Sequence, residues 1–301
     1  MMQRNLKFGT TIVTEVMVEI RQITVIGSGT MGRGIAWLAL DAGYEVFLTD
    51  VEEDRLDEAK DAIETLFTRA VEKGKIDSAH ARESLARLSS TSDLESACRQ
   101  ANLIIEAVPE NLELKKELFS QADLYCDVDT ILASNTSSLS ISALAGSVEK
   151  RDLFVGLHFF NPPHRMKLVE IVAGNRTSQE TIDAVADVAR KMGKETIVVR
   201  DTPGFATSRL GVAMGLEAIR MLEEGVASAE DIDRAMELGY NHPMGPLRVT
   251  DLVGLDVRLS IAEYLASTLG PRFEPPALLR RMVEEGRVGR KSGRGFFEWP
   301  E

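Results

Sequence analysis

His158 and Glu170, near the middle of the chain, have the types and the spacing of a proton-transfer pair. An imidazole titrates near neutral pH, and a neighbouring carboxylate fixes its tautomer and stabilises its protonated form. The apolar runs that carry them, Phe154 to Phe160 and Lys167 to Val172, are predicted strands. If these strands pair about a turn centred near residue 164, the two side chains face each other. The pattern predicts a general base that takes a proton from a hydroxyl; the alternative is a structural histidine.

A glycine-rich segment near the N-terminus has the form of a dinucleotide-binding turn. A β-branched run from Ile23 to Ile26 leads into Gly27-x-Gly29-x-x-Gly32, a helical pattern follows, and the next apolar run ends in Asp50. The glycines permit a tight turn, close approach of a pyrophosphate and close helix packing, and the helix N-terminus faces the phosphate charge. An acid after the second strand suits a ribose diol and repels a 2′-phosphate. We therefore predict NAD(H) as the cofactor, bound by Gly27, Gly29, Thr30, Met31, Gly32 and Asp50; the alternative is an ordinary glycine-rich turn.

Polar residues also follow two further predicted strands. Asn135 and Ser137 come after the run from Thr130 to Ala133, and Glu106 and Glu110 lie at the end of another apolar run. Open α/β sheets bind ligands beyond the carboxyl ends of their strands, so these side chains are candidates for contacts with a substrate or cofactor. The alternatives are helix-capping or turn-forming roles for the first two and solvated charge for the acids. Asn161 has the same ambiguity.

The alternation of apolar runs and helical patterns predicts an α/β fold with a Rossmann-type, doubly wound sheet. The best boundary signal is Asp201-Thr202-Pro203-Gly204, after which strand signals vanish and helical patterns take over. We therefore predict an NAD-binding domain over residues 1–200 and an all-α domain over residues 201–301. The charged stretch from Glu52 to Leu88 predicts two helices, which are either solvated crossover helices or a projecting flap over a ligand.

Composition excludes several classes of protein. The chain has 301 residues and a formal net charge of −12, which argues against nucleic acid and anionic membrane surfaces as partners. Cys98 and Cys126 do not form a C-x-x-C pair, which is typical of a reducing compartment, and we predict a cytoplasmic protein. The histidines show no metal-ligand spacing, so no metal site is expected. Residues 1–16 are predicted to be an extension outside the core, with Met17 as the natural start.

Several longer motifs resemble those of the L-3-hydroxyacyl-CoA dehydrogenase family, and the resemblance runs from about Gln22 to Trp299. They are VIGSGTMGRGIA at the start, EAVPENLELKKELF from Glu106, SNTSSLSIS from Ser134 and GLHFFNPPHRMKLVEIV from Gly156. Further matches are DTPGF, HPMGPLRVTDLVGLD and the C-terminal GRKSGRGFFEW. The HFFNP block followed by KLVEIV is the most specific of these.

The resemblance implies an NAD-dependent enzyme that converts (S)-3-hydroxyacyl-CoA, with 3-hydroxybutyryl-CoA as the expected substrate, to the 3-oxoacyl-CoA. It implies that acyl-CoA enters the cleft between the domains and that the helical domain forms a homodimer. The expected roles are His158 as base, Glu170 as its orienting partner, Ser137 and Asn161 as holders of the substrate oxygen or the histidine, and Glu110, Lys115 and Asn135 as cofactor contacts.

One position departs from the pattern of that family. Ser208 stands where the family usually has an asparagine that contacts the substrate. The shorter hydroxyl puts the substrate range in doubt more than the reaction. The alternatives are a dehydrogenase of a 3-hydroxy acid without CoA, such as a sugar acid or carnitine, and an NAD-binding protein that has lost catalysis.

Overall fold

A computed structural model describes residues 19–300 of the chain. It contains one eight-stranded sheet in the order β3-β2-β1-β4-β5-β6-β7-β8, in which only the β6–β7 pair is antiparallel. The strands are β1 (Gln22–Ile26), β2 (Glu45–Thr49), β3 (Leu88–Thr91), β4 (Leu103–Glu106), β5 (Ile131–Ser134), β6 (Phe154–Phe159), β7 (Leu168–Ala173) and β8 (Glu195–Arg200). The predicted Rossmann-type sheet is confirmed.

Helices cover both faces of this sheet, which explains why its central strands are almost continuously apolar. They are α1 (Thr30–Asp41), α2 (Glu53–Glu72), α3 (Ser78–Ala86), α4 (Leu94–Cys98), α5 (Leu112–Tyr125), α6 (Ile141–Leu144) and α7 (Gln179–Lys191). One apolar cluster lies between the sheet and α1, α2 and α7, and a second lies on the opposite face with α4, α5 and α6. Every residue of β4, β5 and β6 is buried.

The rest of the described chain is helical and has its own apolar core. Its helices are α8 (Thr207–Glu223), α9 (Ala229–Gly239), α10 (Pro246–Val253), α11 (Leu255–Leu269) and α12 (Ala277–Glu284). The buried carboxylate of Asp251 accepts hydrogen bonds from the backbone of Phe296 and Phe297 and from Trp299 Nε1, each at 2.9 Å. These three bonds hold the C-terminal segment against α10.

One detail differs from the sequence-based expectations. The edge strand β3 follows directly on the predicted helical pair and was not expected, because a short, half-polar edge strand carries no apolar signal. The segment from Leu247 to Leu269, whose sequence pattern is mostly helical, forms two helices, because Gly254 with a φ of +102° interrupts the helical backbone between α10 and α11. The expected extension and the proposed start at Met17 lie outside the described residues. Within residues 19–300, no helix is long and apolar enough to cross a membrane.

Candidate active site

The turn between β1 and α1 is shaped by its glycines. Gly27 has a φ of +101°, and a Cβ on Gly32 would lie 1.7 Å from the carbonyl oxygen of Gly27. A Cβ on Gly29 would meet no atom within 4 Å, so the space above this residue is open. Helix α1 has neither a side-chain cap nor an acid in its first turn, which leaves its first N–H groups available. The turn therefore fits the pyrophosphate of a dinucleotide.

Asp50 lies beside this turn, directly after β2. Its Oδ2 atom accepts hydrogen bonds from the backbone N (2.8 Å) and Oγ (2.7 Å) of Ser28. Burial alone would raise the pKa of Asp50, but the hydrogen bonds from Ser28 hold it below the ordinary value. The carboxylate is therefore ionised at neutral pH, as required of an acceptor for a ribose diol that repels a 2′-phosphate.

His158 and Glu170 face each other across the antiparallel β6–β7 pair. The register pairs the two residues directly, and Nδ1 of His158 lies 2.8 Å from Oε2 of Glu170. The predicted strand pairing about residue 164 is thus confirmed. Both residues are buried, with 6% of His158 and 0% of Glu170 exposed. Because Nδ1 faces the carboxylate, Nε2 is the nitrogen left for proton exchange with a ligand.

Glu170 also accepts three hydrogen bonds from the start of α8. The backbone N of Ala206 (3.2 Å) and of Thr207 (2.9 Å) donate to Oε1, and Oγ1 of Thr207 donates to Oε2 at 2.9 Å. Burial alone would raise the pKa of Glu170, but the hydrogen bonds from His158 and Thr207 lower it below the ordinary value. A permanent negative charge therefore stands beside the imidazole.

A second polar network lies at the carboxyl ends of β4 and β5. Glu110 accepts hydrogen bonds from Thr136 Oγ1 (2.6 Å) and from the backbone N of Ser137 (3.1 Å) and Ser138 (3.2 Å). Lys115 is 1% exposed, and its ammonium contacts Glu106 at 2.6 Å and Glu110 at 3.2 Å. The structure thus places Lys115 beneath the loop that carries Ser137, so any contribution to cofactor binding would act through Glu110.

The remaining predicted site residues lie directly after β5 and β6 and at the start of α8. Oδ1 of Asn135 accepts a hydrogen bond from the backbone N of Phe159 at 2.8 Å. Ser208, in the first turn of α8, approaches the carbonyl oxygen of Ser137 at 3.5 Å, which is a marginal hydrogen bond. Asn161 is exposed in the turn after β6. The structure therefore brings Ser137 and Ser208 together from different parts of the chain.

A cavity of about 330 Å³ adjoins the N-terminus of α1 and is bounded by α2 and the β6–β7 turn. Its lining contains three nitrogen-rich side chains and no acid: Thr30, Arg33, Gly34, Ala62, Thr65, Leu66, Arg69, Pro162, Pro163 and His164. The buried face of α2, with Ile63 and Phe67, packs in the core next to α1. Helix α2 is therefore a packed crossover helix that also lines a cavity, and the alternative of a flap over a ligand stays a prediction.

Sequence reasoning missed two parts of this arrangement. Thr207 was not selected, although it stands next to Ser208, because nothing in the sequence shows that the start of α8 meets β7. The cluster of Arg33, Arg69 and His164 was also missed, since its members are far apart in the chain. Helical spacing of Thr65 and Arg69 on one side of the predicted α2 was the signal that could have indicated a lined groove.

Comparisons with known proteins agree with this geometry. The profile of the 3-hydroxyacyl-CoA dehydrogenase NAD binding domain matches residues 22–202, and that of the C-terminal domain of the same family matches residues 204–299. A probable 3-hydroxybutyryl-CoA dehydrogenase of Bacillus subtilis is 44% identical over 94% of this chain and 99% of its own length. The mitochondrial hydroxyacyl-coenzyme A dehydrogenase of Sus scrofa is 40% identical over 93% and 91%.

Among solved structures, the (S)-3-hydroxybutyryl-CoA dehydrogenase of Ralstonia eutropha superimposes with a TM-score of 0.91. It is 37% identical and covers 94% of this chain and 100% of its own. The glycine turn, the ionised Asp50 and the buried histidine–glutamate pair thus occur in a chain that both family profiles cover almost completely. The chain belongs to the 3-hydroxyacyl-CoA dehydrogenase family, a family of NAD-binding oxidoreductases.

Proposed function

We propose that this protein oxidises (S)-3-hydroxyacyl-CoA to 3-oxoacyl-CoA with NAD⁺ and catalyses the reverse reduction, with 3-hydroxybutyryl-CoA as its substrate. The observation that carries the proposal is the 2.8 Å contact between buried His158 and Glu170, on the same sheet as the strand that leads into the glycine turn. The names of the Bacillus subtilis and Ralstonia eutropha relatives support the same substrate.

His158 is the general base of the proposed reaction. When bound, the nicotinamide ring of NAD⁺ supplies a hydride acceptor for the C3 hydrogen of the substrate. Nε2 of His158 takes the proton from the 3-hydroxyl group, and Glu170 stabilises the imidazolium that results. Because Glu170 is buried and ionised, this stabilisation is stronger than it would be in water. A general base of this kind contributes about 10²- to 10⁴-fold in rate.

Ser137, Asn161 and Ser208 are proposed to hold the substrate. The hydroxyl of Ser137 donates to the C3 oxygen as this atom becomes a carbonyl, and Asn161 lies in the turn that follows the base. Support for the serines comes from the approach of the Ser208 hydroxyl to the carbonyl oxygen of Ser137 at 3.5 Å, which brings the two residues together. Donors that are already in place need no reorganisation during the reaction.

The CoA part of the substrate is proposed to occupy the cavity between α2 and the β6–β7 turn. CoA carries several phosphate charges, and a chain of net charge −12 must hold them by a local positive field. Arg33 and Arg69 line the cavity, and guanidinium groups pair well with phosphate oxygens. This surface supports a CoA thioester over a free 3-hydroxy acid, which has no phosphate to bind.

Two features beyond the reaction remain proposals. The helical part exposes large apolar side chains on α8, α10 and α11, among them Leu210 (67%), Val253 (42%) and Val257 (40%). Exposed apolar surface of this kind supports a homodimer through residues 201–301. Residues 1–200 are proposed to form the NAD-binding domain. We further propose that the protein is cytoplasmic, as its cysteine usage suggests.

The function is tested by following the loss of NADH absorbance with acetoacetyl-CoA, using wild type, His158→Ala and His80→Ala. Wild type and His80→Ala, which changes a histidine of α3, should turn over rapidly, whereas His158→Ala should lose nearly all activity while still binding NADH. Turnover of free acetoacetate but not of its thioester would contradict the CoA assignment. Saturable NADH binding without turnover of any acyl-CoA would instead indicate a protein that has lost catalysis.

A further inference from the structure

His164 occupies the wall of the cavity in the β6–β7 turn, five residues beyond the end of β6. It is half-buried, and its ring meets the indole of Trp37 edge-on, with 6.3 Å between the ring centroids. We propose that His164 is neutral in the free protein and takes up one proton from solvent when the phosphate groups of acyl-CoA enter the cavity. This inference rests on the proposed function and assigns a residue to the same binding site.

The charges around His164 are predominantly positive and come from several parts of the fold. They are Arg33 of α1, Arg69 of α2, Lys73 and Lys75 of the α2–α3 turn, Arg165 of its own turn and Lys194 before β8. Burial lowers the pKa of His164 below the ordinary value, and Arg165, Lys194, Lys75 and Lys73 lower it further. At neutral pH the imidazole therefore carries no charge in the absence of a ligand.

The acids of α2 lie on the far side of Arg69. Asp61, Glu64 and Glu72 line a separate groove there, which shares Thr65 and Arg69 with the cavity. None of the three is among the residues that line the cavity itself. The negative charge that would favour protonation of His164 must therefore come from a ligand.

Lys194 keeps His164 in this position. It is 8% exposed, and its ammonium donates to the carbonyl oxygens of Pro163 (2.6 Å) and Met166 (2.9 Å), on either side of His164. The opposite side of the turn is fixed by Pro163, which would lie 3.0 Å from a Cβ on Gly34. The imidazole is thus presented to the cavity by a turn that is held at both ends.

Phosphate groups in the cavity would reverse the local field. Each brings negative charge and acceptor oxygens, and a nearby opposite charge favours the protonated form of an imidazole. By linkage, the ligand then binds more tightly at low pH by the same factor by which it raises the proton affinity of His164. One pKa unit of difference between the free and bound states corresponds to about a tenfold change in affinity.

Trp37 provides a direct readout of this protonation. The chain has two tryptophans, and only Trp37 lies against a histidine ring in the described structure. Protonation of His164 would place a positive charge beside the indole, which should change its fluorescence, whereas a neutral imidazole lacks that charge. The midpoint of the fluorescence change with pH therefore reports the pKa of His164 and should disappear in His164→Gln.

The experiment measures the binding of CoA, without an acyl group, to wild type, His164→Gln and the control His80→Gln. His80 pairs with Asp41 on α1 and does not line the cavity. Calorimetric titrations in two buffers of different ionisation enthalpy give the number of protons taken up. CoA is used because it lacks the group that His158 contacts, so the catalytic base does not enter the comparison.

For wild type and His80→Gln, CoA affinity should fall by a factor of about three to five between about pH 6 and pH 8, with proton uptake on binding. In His164→Gln the contribution of the imidazole to the pH dependence and to the proton uptake should be absent. Only the contribution of the titrating phosphate of CoA, which is common to all three proteins, should remain. The Trp37 midpoint should also move to higher pH when CoA is bound. Equal pH dependence in wild type and His164→Gln, or a midpoint that CoA does not move, would overturn the inference and leave the proposed function intact. Absence of CoA binding together with absence of acetoacetyl-CoA turnover would overturn both.

Discussion

Replacement of Glu170 by glutamine should reverse the tautomer of His158, the proposed general base. Oε1 of Glu170 accepts two backbone N–H groups at the start of α8, so the amide oxygen of Gln should take that position. The NH₂ group then points at Nδ1 of His158, which must turn from a donor into an acceptor. In the neutral imidazole the proton consequently moves to Nε2, the nitrogen that has to accept the proton of the substrate.

The size of the effect follows from what the variant loses. It removes the negative charge that stabilises the imidazolium, and it places a proton on Nε2, which must be unprotonated to act as the base. Loss of a general base costs about 10²- to 10⁴-fold, and a wrong tautomer lies near the upper end of that range. We therefore expect kcat to fall about 10³- to 10⁴-fold, equivalent to about 4–5.5 kcal/mol in activation free energy.

The assay is steady-state NADH oxidation with acetoacetyl-CoA, combined with NADH binding by fluorescence. NADH affinity should stay within about twofold, since Glu170 is remote from the Asp50 contacts. As a matched control, Thr207→Val removes one of the four hydrogen bonds to Glu170 but keeps the charge, and it should lose only about tenfold. A kcat for Glu170→Gln within threefold of wild type would refute the assignment of tautomer control to this carboxylate.

Three further predictions follow from contacts in the structure. Asp50→Ala should lower the ratio of kcat/KM for NAD⁺ to kcat/KM for NADP⁺ by about tenfold, because the Ser28 donors become free for a 2′-phosphate. An unchanged ratio would contradict the role of this acid. Lys115→Met leaves Glu106 buried without its cation and should lower the free energy of unfolding by about 3–5 kcal/mol, measured by denaturant titration. A loss below about 1 kcal/mol would mean that water replaces the ammonium group. Because the folded pKa of Glu170 lies below its ordinary value of 4.5, its stabilising contribution is present above that pH and is lost as pH falls through the folded pKa. The stability difference between wild type and Glu170→Gln should therefore shrink below about pH 4.5, and a pH-independent difference would contradict the shift.

The register of His158 and Glu170 could be predicted from the sequence for a simple reason. Two short apolar runs separated by Asn161-Pro162-Pro163 leave few ways to pair, and alternation along a strand fixes which side chains share a face. The glycine turn was predictable because a side chain at these positions would clash locally. A Cβ on Gly32, for example, would lie 1.7 Å from the carbonyl oxygen of Gly27.

The contacts across the cleft could not be predicted in the same way. The donors of Thr207 reach Glu170 from 37 residues away, and no local pattern encodes the docking of α8 on β7. The same holds for the cavity, whose Arg33, Arg69 and His164 converge only because α1, α2 and the β6–β7 turn pack together. Strand β3 was missed for the opposite reason, since its polar edge residues form a strand without an apolar signal.

The hydrogen bonds from α8 to Glu170 have a consequence for motion in the cleft. Three of the four donors to this carboxylate belong to the helical part, while the carboxylate and the histidine belong to the sheet. A hinge movement that separated α8 from β7 would remove these three donors from Glu170. Because the hydrogen bonds from Thr207 lower the pKa of Glu170, their loss would raise it. Of the four hydrogen bonds to the carboxylate, only the one from His158 would remain. The placement of Glu170 beside His158 therefore depends on how the start of α8 docks on β7, and a change in that docking would disturb the pair without any change in its own residues.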